Sequence, residues 1–383
     1  MRILMGIPFL YPALSYGGAA RAAYQLAAAM QELGHEVTVL TTDVWDSRSR
    51  YQNQGFEAPF TVIRVPNVSN TIAYYWQFYT PLGVLKHAER LLANADILHL
   101  ITFRNLLNDL LARTAVKQKI PFLLTGQGTI PRIERFQWIK RCYDALIGWW
   151  QLKHASGYIA VSNAEFGSMR RFGLPQEKIR IIPNGVTEID IPVSGCFRKR
   201  WGIADEEKII LFLGKITPRK GVQHLVRAFA EIRNQARLVI AGNDMGYGPR
   251  IHRLSAQLQL KDRVLWTGLL DDRQKQEALH DADVTVYPSA NEAFGLVPLE
   301  SILAGTPVIV CDDDGCGEVI REVGGGDLVP WADPNALCDA ILRRLRVGKN
   351  PEELQKVQEK IRVHFNWHLI ARKTVHFYQT IVQ

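Results

Sequence analysis

Two glutamates eight residues apart have the chemistry to bind a ligand rich in hydroxyl groups. Glu292 lies in a loop after a strand that we predict to end at Pro288, and Glu300 lies inside a helix predicted to begin near Gly295. Glu292 can then reach sugar hydroxyls, Glu300 can accept hydrogen bonds from a ribose, and the free N–H groups of residues 294–297 can bind a diphosphate. Glutamate is common on protein surfaces, so the spacing alone fits two solvated carboxylates equally well.

Two lysines five residues apart form a second candidate site. Lys215 and Lys220 lie on a loop between a predicted strand and a predicted helix, bounded by Gly214 and Gly221. Ammonium groups on such a loop can bind a diphosphate as point charges and stabilise it as a leaving group. The GxxxxGK[ST] pattern of a P-loop is absent. An exposed basic turn explains the same residues equally well.

A glycine pair near the N-terminus is a third candidate. Gly17 and Gly18 follow the first predicted strand. Glycine permits the positive φ angles and the close backbone approach that a phosphate contact requires. Many turns between a strand and a helix carry glycines, so a purely structural role is the commoner explanation.

Composition limits the classes of function. The 383 residues are enough for two domains, and the net charge of +8 with a pI near 9.2 favours an anionic partner. No basic tail or nucleic-acid-binding motif is present, so we predict no nucleic acid partner. Five cysteines without a CxxC pair indicate reduced thiols and a cytoplasmic location. No apolar stretch reaches the roughly 18 residues of a membrane-spanning helix.

We predict no metal site. Cys311 and Cys316 have no histidine nearby, which argues against zinc. The three aspartates at 312–314 invite a metal interpretation, but a solvated loop at the end of a strand is the favoured one.

Strand-like and helical segments alternate along the chain, which is typical of parallel sheets covered by helices. Strands are predicted at residues 3–7, 35–40, 96–100, 121–125 and 157–161, then at 208–213, 236–242, 264–266, 284–287 and 307–310. Helices are predicted at 19–33 and 367–382, the last packing against another domain. The restart of the pattern predicts an α/β chain of two doubly wound domains, 1–186 and 187–365, with a hinge near 185–194.

Together these motifs resemble the retaining glycosyltransferases of family four, the group 1 glycosyltransferases, over nearly the whole chain. Residues 292–300 match the family's E-x7-E motif, and residues 304–308 match the segment after it. Residues 155–162 and 178–186 are similar to the family's approach to the interdomain hinge. The resemblance implies the GT-B fold, in which two Rossmann-like domains face each other across a deep cleft. It implies that the N-terminal domain binds the acceptor and is completed by a C-terminal helix at about 366–383, and that the other domain binds a nucleotide sugar.

The same resemblance implies roles for individual residues. It assigns catalysis to Glu292, Lys215 and Lys220, with the lysines on the diphosphate and Glu292 on the donor sugar. It places Glu300 on the ribose, and it implies that no metal or other cofactor is needed. The implied donor-binding residues are Gly17, Gly18, Lys215, Lys220, Glu292, Phe294, Gly295, Leu296 and Glu300.

Three positions depart from the family pattern. Lys215 stands where many members carry arginine, so a single ammonium replaces a bidentate phosphate contact. Gln127, near the reacting sugar or acceptor by resemblance, stands where many members have histidine, so it can hydrogen-bond but cannot transfer a proton. The turn at 313–319 is one residue shorter than the family's glycine–glycine turn. The resemblance implies a front-face reaction in which the departing phosphate oxygen takes the acceptor's proton.

Two segments of the N-terminal domain bear on the acceptor. Residues 71–79 are densely aromatic, and residues 130–154 combine basic with aromatic side chains. An amphipathic helix of that kind can lie on an anionic membrane and admit a lipid-linked acceptor, or pack its apolar face on its own sheet. The sequence leaves both alternatives open. That helical face carries Trp138, Cys142, Ala145, Trp149 and Leu152.

We therefore predict a cytoplasmic glycosyltransferase, with contact to the inner face of the cell membrane left open. It moves a sugar from a UDP- or GDP-sugar to a hydroxyl of a glycan or lipid-linked acceptor in the synthesis of cell-surface polysaccharide, lipopolysaccharide or glycolipid. One alternative is a soluble glycosyltransferase that acts on a small cytosolic acceptor such as a sugar phosphate. Another is a non-catalytic protein that binds nucleotide sugars.

Overall fold

A computed structural model of the chain describes residues 1–53, 55–133, 136–232, 236–312 and 315–383. Asp313 and Asp314, which the sequence places in a solvated loop, lie outside the described residues. The chain divides into two compact units, Met1–Gly185 with Phe365–Gln383, and Val186–His364. No helix within the described ranges combines the length and the apolar character needed to cross a membrane.

The first unit is built on a parallel sheet of seven strands. They are β1 (Arg2–Gly6), β2 (Glu36–Thr42), β3 (Thr61–Val65), β4 (Ile97–Ile101), β5 (Phe122–Thr125), β6 (Gly157–Ala160) and β7 (Ile179–Ile181). Their spatial order is β3-β2-β1-β4-β5-β6-β7, with every neighbouring pair parallel. The central strand β4 is buried along its whole length, as expected for a parallel strand covered by helices on both faces.

Helices of the first unit connect these strands. They are α1 (Gly18–Glu32), α2 (Asn70–Trp76), α3 (Val84–Leu92), α4 (Leu106–Lys117), α5 (Gln137–Tyr143), α6 (Trp149–His154) and α7 (Asn163–Arg171). Side-chain oxygens of Ser69, Asn105 and Ser162 accept backbone N–H groups at the starts of α2, α4 and α7, which stabilises those helix ends.

A π-helical turn, Asp144–Gly148, joins α5 to α6. Such a turn closes i to i+5 rather than i to i+4, so the helix surfaces before and after it are rotated relative to a regular helix. The alternative in which one regular face of this segment packs on the sheet is therefore wrong. Leu152 is buried, but the rest of that face is exposed. The exposed members are Trp138, Cys142, Ala145 and Trp149.

The second unit is built on a parallel sheet of six strands. They are β8 (Lys208–Leu213), β9 (Ala236–Ala241), β10 (Val264–Gly268), β11 (Val284–Tyr287), β12 (Val308–Cys311) and β13 (Gly326–Val329). The spatial order is β10-β9-β8-β11-β12-β13. From β8 the chain adds strands in one direction, through β9 to β10, and from β11 it adds strands in the opposite direction, so the strand order reverses between β8 and β11. Open α/β sheets bind ligands at such a point.

Helices cover both faces of the second sheet. They are α8 (Cys196–Trp201), α9 (Val222–Ala230), α10 (Gly248–Gln257), α11 (Asp272–Asp281), α12 (Leu296–Leu303), α13 (Gly315–Val323), α14 (Pro334–Val347) and α15 (Pro351–His364). Phe229 of α9 and Ile341 of α14 belong to the core on one face. Phe197 of α8 and Leu279 of α11 belong to the core on the other.

The last helix, α16 (Trp367–Val382), belongs to the first unit. The hydroxyl of its Tyr378 lies 2.6 Å from Nδ1 of His99 on β4, and Nε2 of His99 lies 2.6 Å from Oγ1 of Thr125 on β5. Burial lowers the pKa of His99 to about 3, so the ring is neutral. A Cβ on Gly157 would lie 2.6 Å from the Phe377 ring, so that glycine lets the helix pack closely on β6.

Strands β3, β7 and β13 were not predicted from the sequence. All three lie at the edge of a sheet and are partly exposed. They therefore lack the continuous apolar run that marks a buried parallel strand. The predicted bounds of β8, β11 and α16 are confirmed, and the other predicted elements shift by one or two residues at their ends.

Candidate active site

Two loops of the second unit meet where the strand order reverses. One follows β8 and contains a short 3-10 turn, Pro218–Lys220, and the other follows β11 and carries Glu292. Gly221 has a φ of 71°, and a Cβ there would lie 1.9 Å from the carbonyl oxygen of Pro288. Glycine is therefore required for the two loops to touch.

Glu292 is surrounded by hydrogen-bond donors. Its Oε1 accepts from Lys220 Nζ at 2.6 Å and from Arg219 Nη1 at 2.7 Å. Ser289 Oγ donates to the same oxygen at 3.0 Å, and the Tyr287 hydroxyl donates to Oε2 at 3.2 Å. Lys220 also donates to the Tyr287 hydroxyl. Only 10% of the Lys220 side chain and 12% of the Glu292 side chain are exposed, so the ion pair is largely shielded from water.

These donors keep Glu292 ionised. Burial alone would raise the pKa of this carboxyl group, but the charges of Lys220 and Arg219 outweigh burial and lower the pKa to about 2. Burial, followed by the charge of Glu292, raises the pKa of Tyr287 well above its usual value, so its hydroxyl stays neutral. At neutral pH Glu292 is therefore a hydrogen-bond acceptor and a very weak base.

The backbone on either side of Glu292 has unusual conformations. Asn291 has a φ of 53°, which is uncommon for a residue other than glycine, and Gly295 has a φ of 81° where α12 begins. The Glu292 carbonyl oxygen accepts the Gly315 N–H at 2.9 Å. A Cβ on Gly295 would lie 2.7 Å from Sγ of Cys316. The starts of α12 and α13 therefore both hold the Glu292 loop.

Glu300 of α12 is paired with a lysine that the sequence did not single out. Its Oε1 accepts from Lys275 Nζ of α11 at 2.5 Å, and 8% of its side chain is exposed. Its Oε2 is buried and has no hydrogen-bond partner in the described part of the chain. A buried carboxylate oxygen without a partner is unfavourable. This atom is therefore a candidate acceptor for a ligand hydroxyl.

The other predicted residues of this unit lie on the same loops. Lys215 is half-buried, two residues after the end of β8. Phe294 is buried, and Leu296 is the first residue of α12. Among the residues predicted for this unit, the structure brings Lys220 and Glu292 into direct contact.

The predicted residues of the first unit lie in loops that follow β1 and β5. Gly17 has a φ of 81° and a ψ of −154°, a conformation largely restricted to glycine, and Gly18 is the first residue of α1. Gln127 follows β5, and its amide pairs with that of Asn184. Gln127 Nε2 donates to Asn184 Oδ1 at 2.8 Å, and Asn184 Nδ2 donates to Gln127 Oε1 at 3.0 Å. This reciprocal pair fixes the orientation of the Gln127 side chain.

A buried glutamate holds the loop that carries Gln127. Glu165 of α7 accepts the Gly128 N–H at 2.5 Å and the Val161 N–H at 2.8 Å. Burial raises the pKa of Glu165 to about 7, although these two N–H groups oppose the rise. A Cβ on Gly126 would lie 2.8 Å from Oε1 of Glu165, so that glycine allows the loop to approach.

Several residues that shape these sites were not assigned from the sequence. Most of them act through a partner that is distant in the sequence, so their own sequence neighbourhood gives no functional signal. Only Arg219 carried a signal, because it adjoins Lys220 on the basic loop. The unassigned residues are Arg219, Lys275, Tyr287, Ser289, Glu165 and Asn184.

The structure offers no evident place for a metal ion in the residues that it describes. Among them, no three His, Cys, Asp or Glu side chains are grouped so that they could hold one. Metal independence therefore stays a prediction that follows from the family resemblance.

Solved structures share this architecture. HepE of Anabaena, in its crystal structure with UDP and glucose, matches with a TM-score of 0.77 and 17% identity, covering 99% of this chain and 100% of that chain. At this low identity the likeness speaks for the fold alone. Two parallel-sheet, Rossmann-like domains of this kind make up the GT-B fold.

Two family models together match most of the chain. The model described as Glycosyltransferase Family 4 matches residues 16–188, and the model described as Glycosyl transferases group 1 matches residues 196–362. The chain therefore belongs to the group 1, family 4 glycosyltransferases.

Curated relatives differ in what their names say they act on. The chain is similar to the phosphatidyl-myo-inositol mannosyltransferase of Mycobacterium leprae, at 32% identity over 205 residues that cover 52% of this chain and 53% of that protein. It is also similar to the N-acetyl-alpha-D-glucosaminyl L-malate synthase of Bacillus anthracis, at 26% identity over 398 aligned residues that cover 100% and 97%. The chain spans about half the length of several curated relatives that it matches at higher identity.

Replacing Glu292 by glutamine is expected to destabilise the second unit at neutral pH. The change leaves two cations without their buried carboxylate, which typically costs about 3–5 kcal/mol of unfolding free energy. The folded pKa near 2 lies below the ordinary value of 4.5. The contribution is therefore complete above pH 4.5 and is lost as the pH falls towards 2. Urea unfolding of both proteins between about pH 7 and about pH 3 measures it.

Glu359→Gln is the matched control, because Glu359 is exposed on α15. This change is expected to stay within about 0.5 kcal/mol of the wild type. Identical unfolding midpoints for Glu292→Gln and the wild type at neutral pH would contradict a stabilising buried ion pair.

Proposed function

We propose that the chain is a retaining glycosyltransferase that moves a sugar from a UDP- or GDP-sugar to a hydroxyl of a glycan or lipid-linked acceptor. The observation that carries the proposal is the ionised Glu292 in contact with Lys220 and Arg219, at the point of the sheet where α/β domains bind ligands. One pair of loops thus offers a carboxylate for sugar hydroxyls and, in Lys215 and Lys220, cations for a diphosphate. HepE was crystallised with UDP and glucose, the two parts of such a donor.

Each part of the donor has a matching group in the second unit. Glu292 accepts hydrogen bonds from the sugar. Lys215 and Lys220 stabilise the charge that develops on the diphosphate as it leaves. The unpartnered, buried Oε2 of Glu300 accepts a ribose hydroxyl.

The proposed reaction retains the anomeric configuration. The acceptor oxygen bonds to the anomeric carbon on the face from which the diphosphate departs, and the departing phosphate oxygen takes the acceptor's proton. Glu292 does not take that proton, because a carboxylate with a pKa near 2 is a poor base at neutral pH. Gln127 has no group that titrates. Both side chains therefore bind and orient, and the transfer depends on positioning and electrostatic stabilisation.

Glu292→Ala and Lys220→Ala are each expected to lower kcat by about 100-fold or more. Lys220→Ala removes a charge that stabilises the departing diphosphate, and Glu292→Ala removes the group that orients the sugar; losses of that size are typical of both effects. A thermal-shift screen with UDP and GDP first identifies the base, because a ligand that binds only the folded state raises the Tm. Release of nucleoside diphosphate from UDP-glucose and GDP-mannose then measures turnover.

The control for these variants is Glu359→Ala, which should retain wild-type turnover. Variants that fold and keep near wild-type kcat would refute the roles of Glu292 and Lys220. A wild-type protein that binds nucleotide sugars but neither hydrolyses nor transfers them would instead be a non-catalytic binder.

Turnover is expected to be independent of divalent metal. The lysines at 215 and 220 supply the positive charge that Mg²⁺ supplies in many enzymes that act on diphosphates. The measurement compares kcat in EDTA with kcat in added Mg²⁺ or Mn²⁺. A loss of about tenfold or more in EDTA, restored by either metal, would overturn this expectation; tenfold corresponds to about 1.4 kcal/mol of barrier.

An exposed aromatic surface on the first unit supports a lipid-linked acceptor. Trp76 at the end of α2 stacks on Phe136, with ring centroids 5.0 Å apart and 10° between the planes. From Phe136 exposed apolar side chains continue along α5, the π-helical turn and α6. Exposed apolar groups of this kind mark interaction sites. The aromatic surface comprises Tyr75, Trp76, Phe78, Phe136, Trp138, Ile139, Leu146 and Trp149.

Cations accompany this aromatic surface. Arg141 and Lys153 are exposed on the same helical segment, and the whole chain carries a net charge of +8. Apolar helix surfaces bordered by cations are typical of binding to anionic membranes. The proposed occupant is therefore an anionic phospholipid bilayer that presents the lipid-linked acceptor.

Trp138→Ser and Leu146→Ser are each expected to weaken membrane binding about tenfold. The two side chains are 69% and 78% exposed, and burying such a side chain is worth about 1.5–3 kcal/mol. Sedimentation with phosphatidylglycerol vesicles measures the binding, which should weaken as salt is raised. Vesicles of phosphatidylcholine alone should bind less.

The matched control is Val347→Ser, because Val347 is equally exposed, at 67%, on α14 of the second unit. This variant should bind vesicles as the wild type does. Failure of the wild type to bind anionic vesicles at low salt would contradict the membrane proposal.

A soluble glycosyltransferase with a small acceptor is the second candidate function. One relative that the chain matches over its whole length is named for L-malate, a small hydroxy acid. Transfer to small hydroxy acids or sugar phosphates, without any binding to anionic vesicles, would favour this candidate over the lipid-linked one.

A further inference from the structure

Arg219 joins the two loops of the donor site through both its backbone and its side chain. Its carbonyl oxygen accepts the Ala290 N–H at 2.9 Å and lies 3.4 Å from the Ser289 hydroxyl oxygen. Its Nη1 lies 3.4 Å from the Ala290 carbonyl oxygen, 3.2 Å from the Asn291 carbonyl oxygen and 2.7 Å from Glu292 Oε1. One residue of the β8 loop therefore holds four consecutive residues of the β11 loop.

The strained residue of that loop is one of those held. Asn291 has a φ of 53°, and a non-glycine residue in that region persists only where its surroundings fix it. Since Asn291 immediately precedes Glu292, its backbone angles set the direction in which the Glu292 side chain leaves the chain. The contact of Arg219 with the Asn291 carbonyl oxygen stabilises this direction.

Lys220 alone does not fix the carboxylate in the same way. Its Nζ contacts Glu292 Oε1 and the Tyr287 hydroxyl, and an ammonium group acts as a point charge with no preferred plane. The guanidinium of Arg219 is planar and rigid, and it contacts backbone and carboxylate together. The Arg219 side chain is 27% exposed and that of Lys220 is 10% exposed, so the arginine lies on the more open side of Glu292.

We propose that Arg219 is a positioning residue of the donor site, which holds Glu292 and the strained loop before it in the orientation that binds the sugar part of the donor. This inference rests on the proposed function and extends it to a residue to which the family resemblance assigns no role. It follows that Arg219 governs recognition of the transferred sugar and the rate of transfer. Affinity for the nucleoside diphosphate alone depends little on it.

The test uses Arg219→Lys, Arg219→Gln, Glu292→Gln and the double variant Arg219→Gln/Glu292→Gln in the full chain. Calorimetry measures the Kd of UDP and UDP-glucose, and of GDP and GDP-mannose, and release of nucleoside diphosphate measures kcat. Arg343→Lys is the matched control, since Arg343 is an exposed arginine of the same unit that faces a carboxylate, Asp327, at 3.7 Å.

Both Arg219 variants are expected to lower kcat about tenfold or more, which corresponds to about 1.4 kcal/mol. They should also remove most of the difference in affinity between the nucleotide sugar and the nucleoside diphosphate. The Kd of the nucleoside diphosphate itself should stay within about threefold of the wild-type value. In the Glu292→Gln background, Arg219→Gln is expected to cause no further loss of sugar affinity, because residues that act through one another are non-additive. Arg343→Lys should change none of these values.

Three results would overturn the inference. The first is wild-type kcat in Arg219→Lys, since the positive charge alone would then suffice. The second is a tenfold weaker Kd for UDP or GDP, which would place Arg219 on the diphosphate itself. The third is a loss of sugar affinity in the double variant that equals the product of the losses in the two single variants.

Failure of the proposed function would look different from failure of this inference. A wild-type protein that binds and turns over none of the nucleotide sugars refutes the function. The role of Arg219 is then still decided by urea unfolding of a double-mutant cycle made of the wild type, Arg219→Gln, Glu292→Gln and the double variant. The positioning contact is supported if the change in unfolding free energy of the double variant differs from the sum of the two single changes. It is refuted if the changes are additive.

Discussion

The donor site depends on one buried carboxylate shared by two cations. Lys220 is largely buried, and a buried ammonium is tolerated only with a partner. Glu292 provides it, and Arg219 adds the second charge that keeps the carboxylate ionised. The pair joins a loop after β8 to a loop after β11, so each loop contributes to the conformation of the other. The reversal of strand order that makes β8 and β11 neighbours is thus the topological condition for the chemistry of the site.

Much of the fold could be predicted from the sequence, and the exceptions have a common cause. Buried parallel strands such as β8 and β11 are nearly continuous apolar runs, which differ plainly from the helices around them. Edge strands such as β7 are solvated on one side, so their sequences resemble loops. The helical segment around the π-helical turn failed for a different reason, since its extra residue shifts a periodicity that assumes 3.6 residues per turn.

The site was less accessible to sequence reasoning than the fold. The spacing of Glu292 and Lys220 fitted a ligand-binding role and a solvated surface position equally well. Only the family resemblance assigned both residues to one site. Their contact joins residues 72 positions apart, and no local pattern encodes a contact of that range. Lys275 shows the limit most clearly. It lies on a polar helix where a surface lysine is the normal expectation, yet it pairs with Glu300 in the interior.

Arg104 of the first unit resembles Arg219 in that it pairs with a carboxylate and also contacts backbone carbonyl oxygens of a neighbouring loop. Its carboxylate partner lies in the helical segment that carries the aromatic surface. Arg104 pairs with the buried Asp144 of the π-helical turn through Nε at 2.8 Å and Nη2 at 2.9 Å. Its Nη2 also donates to the Ile130 carbonyl oxygen at 2.7 Å, in the loop that follows β5 and carries Gln127. A charge buried at Asp144 must turn inward to meet its partner, and the apolar residues beside it then turn outward. Leu146, two residues after Asp144 in this turn, is accordingly exposed, and the same arginine also joins the turn to the loop that carries Gln127.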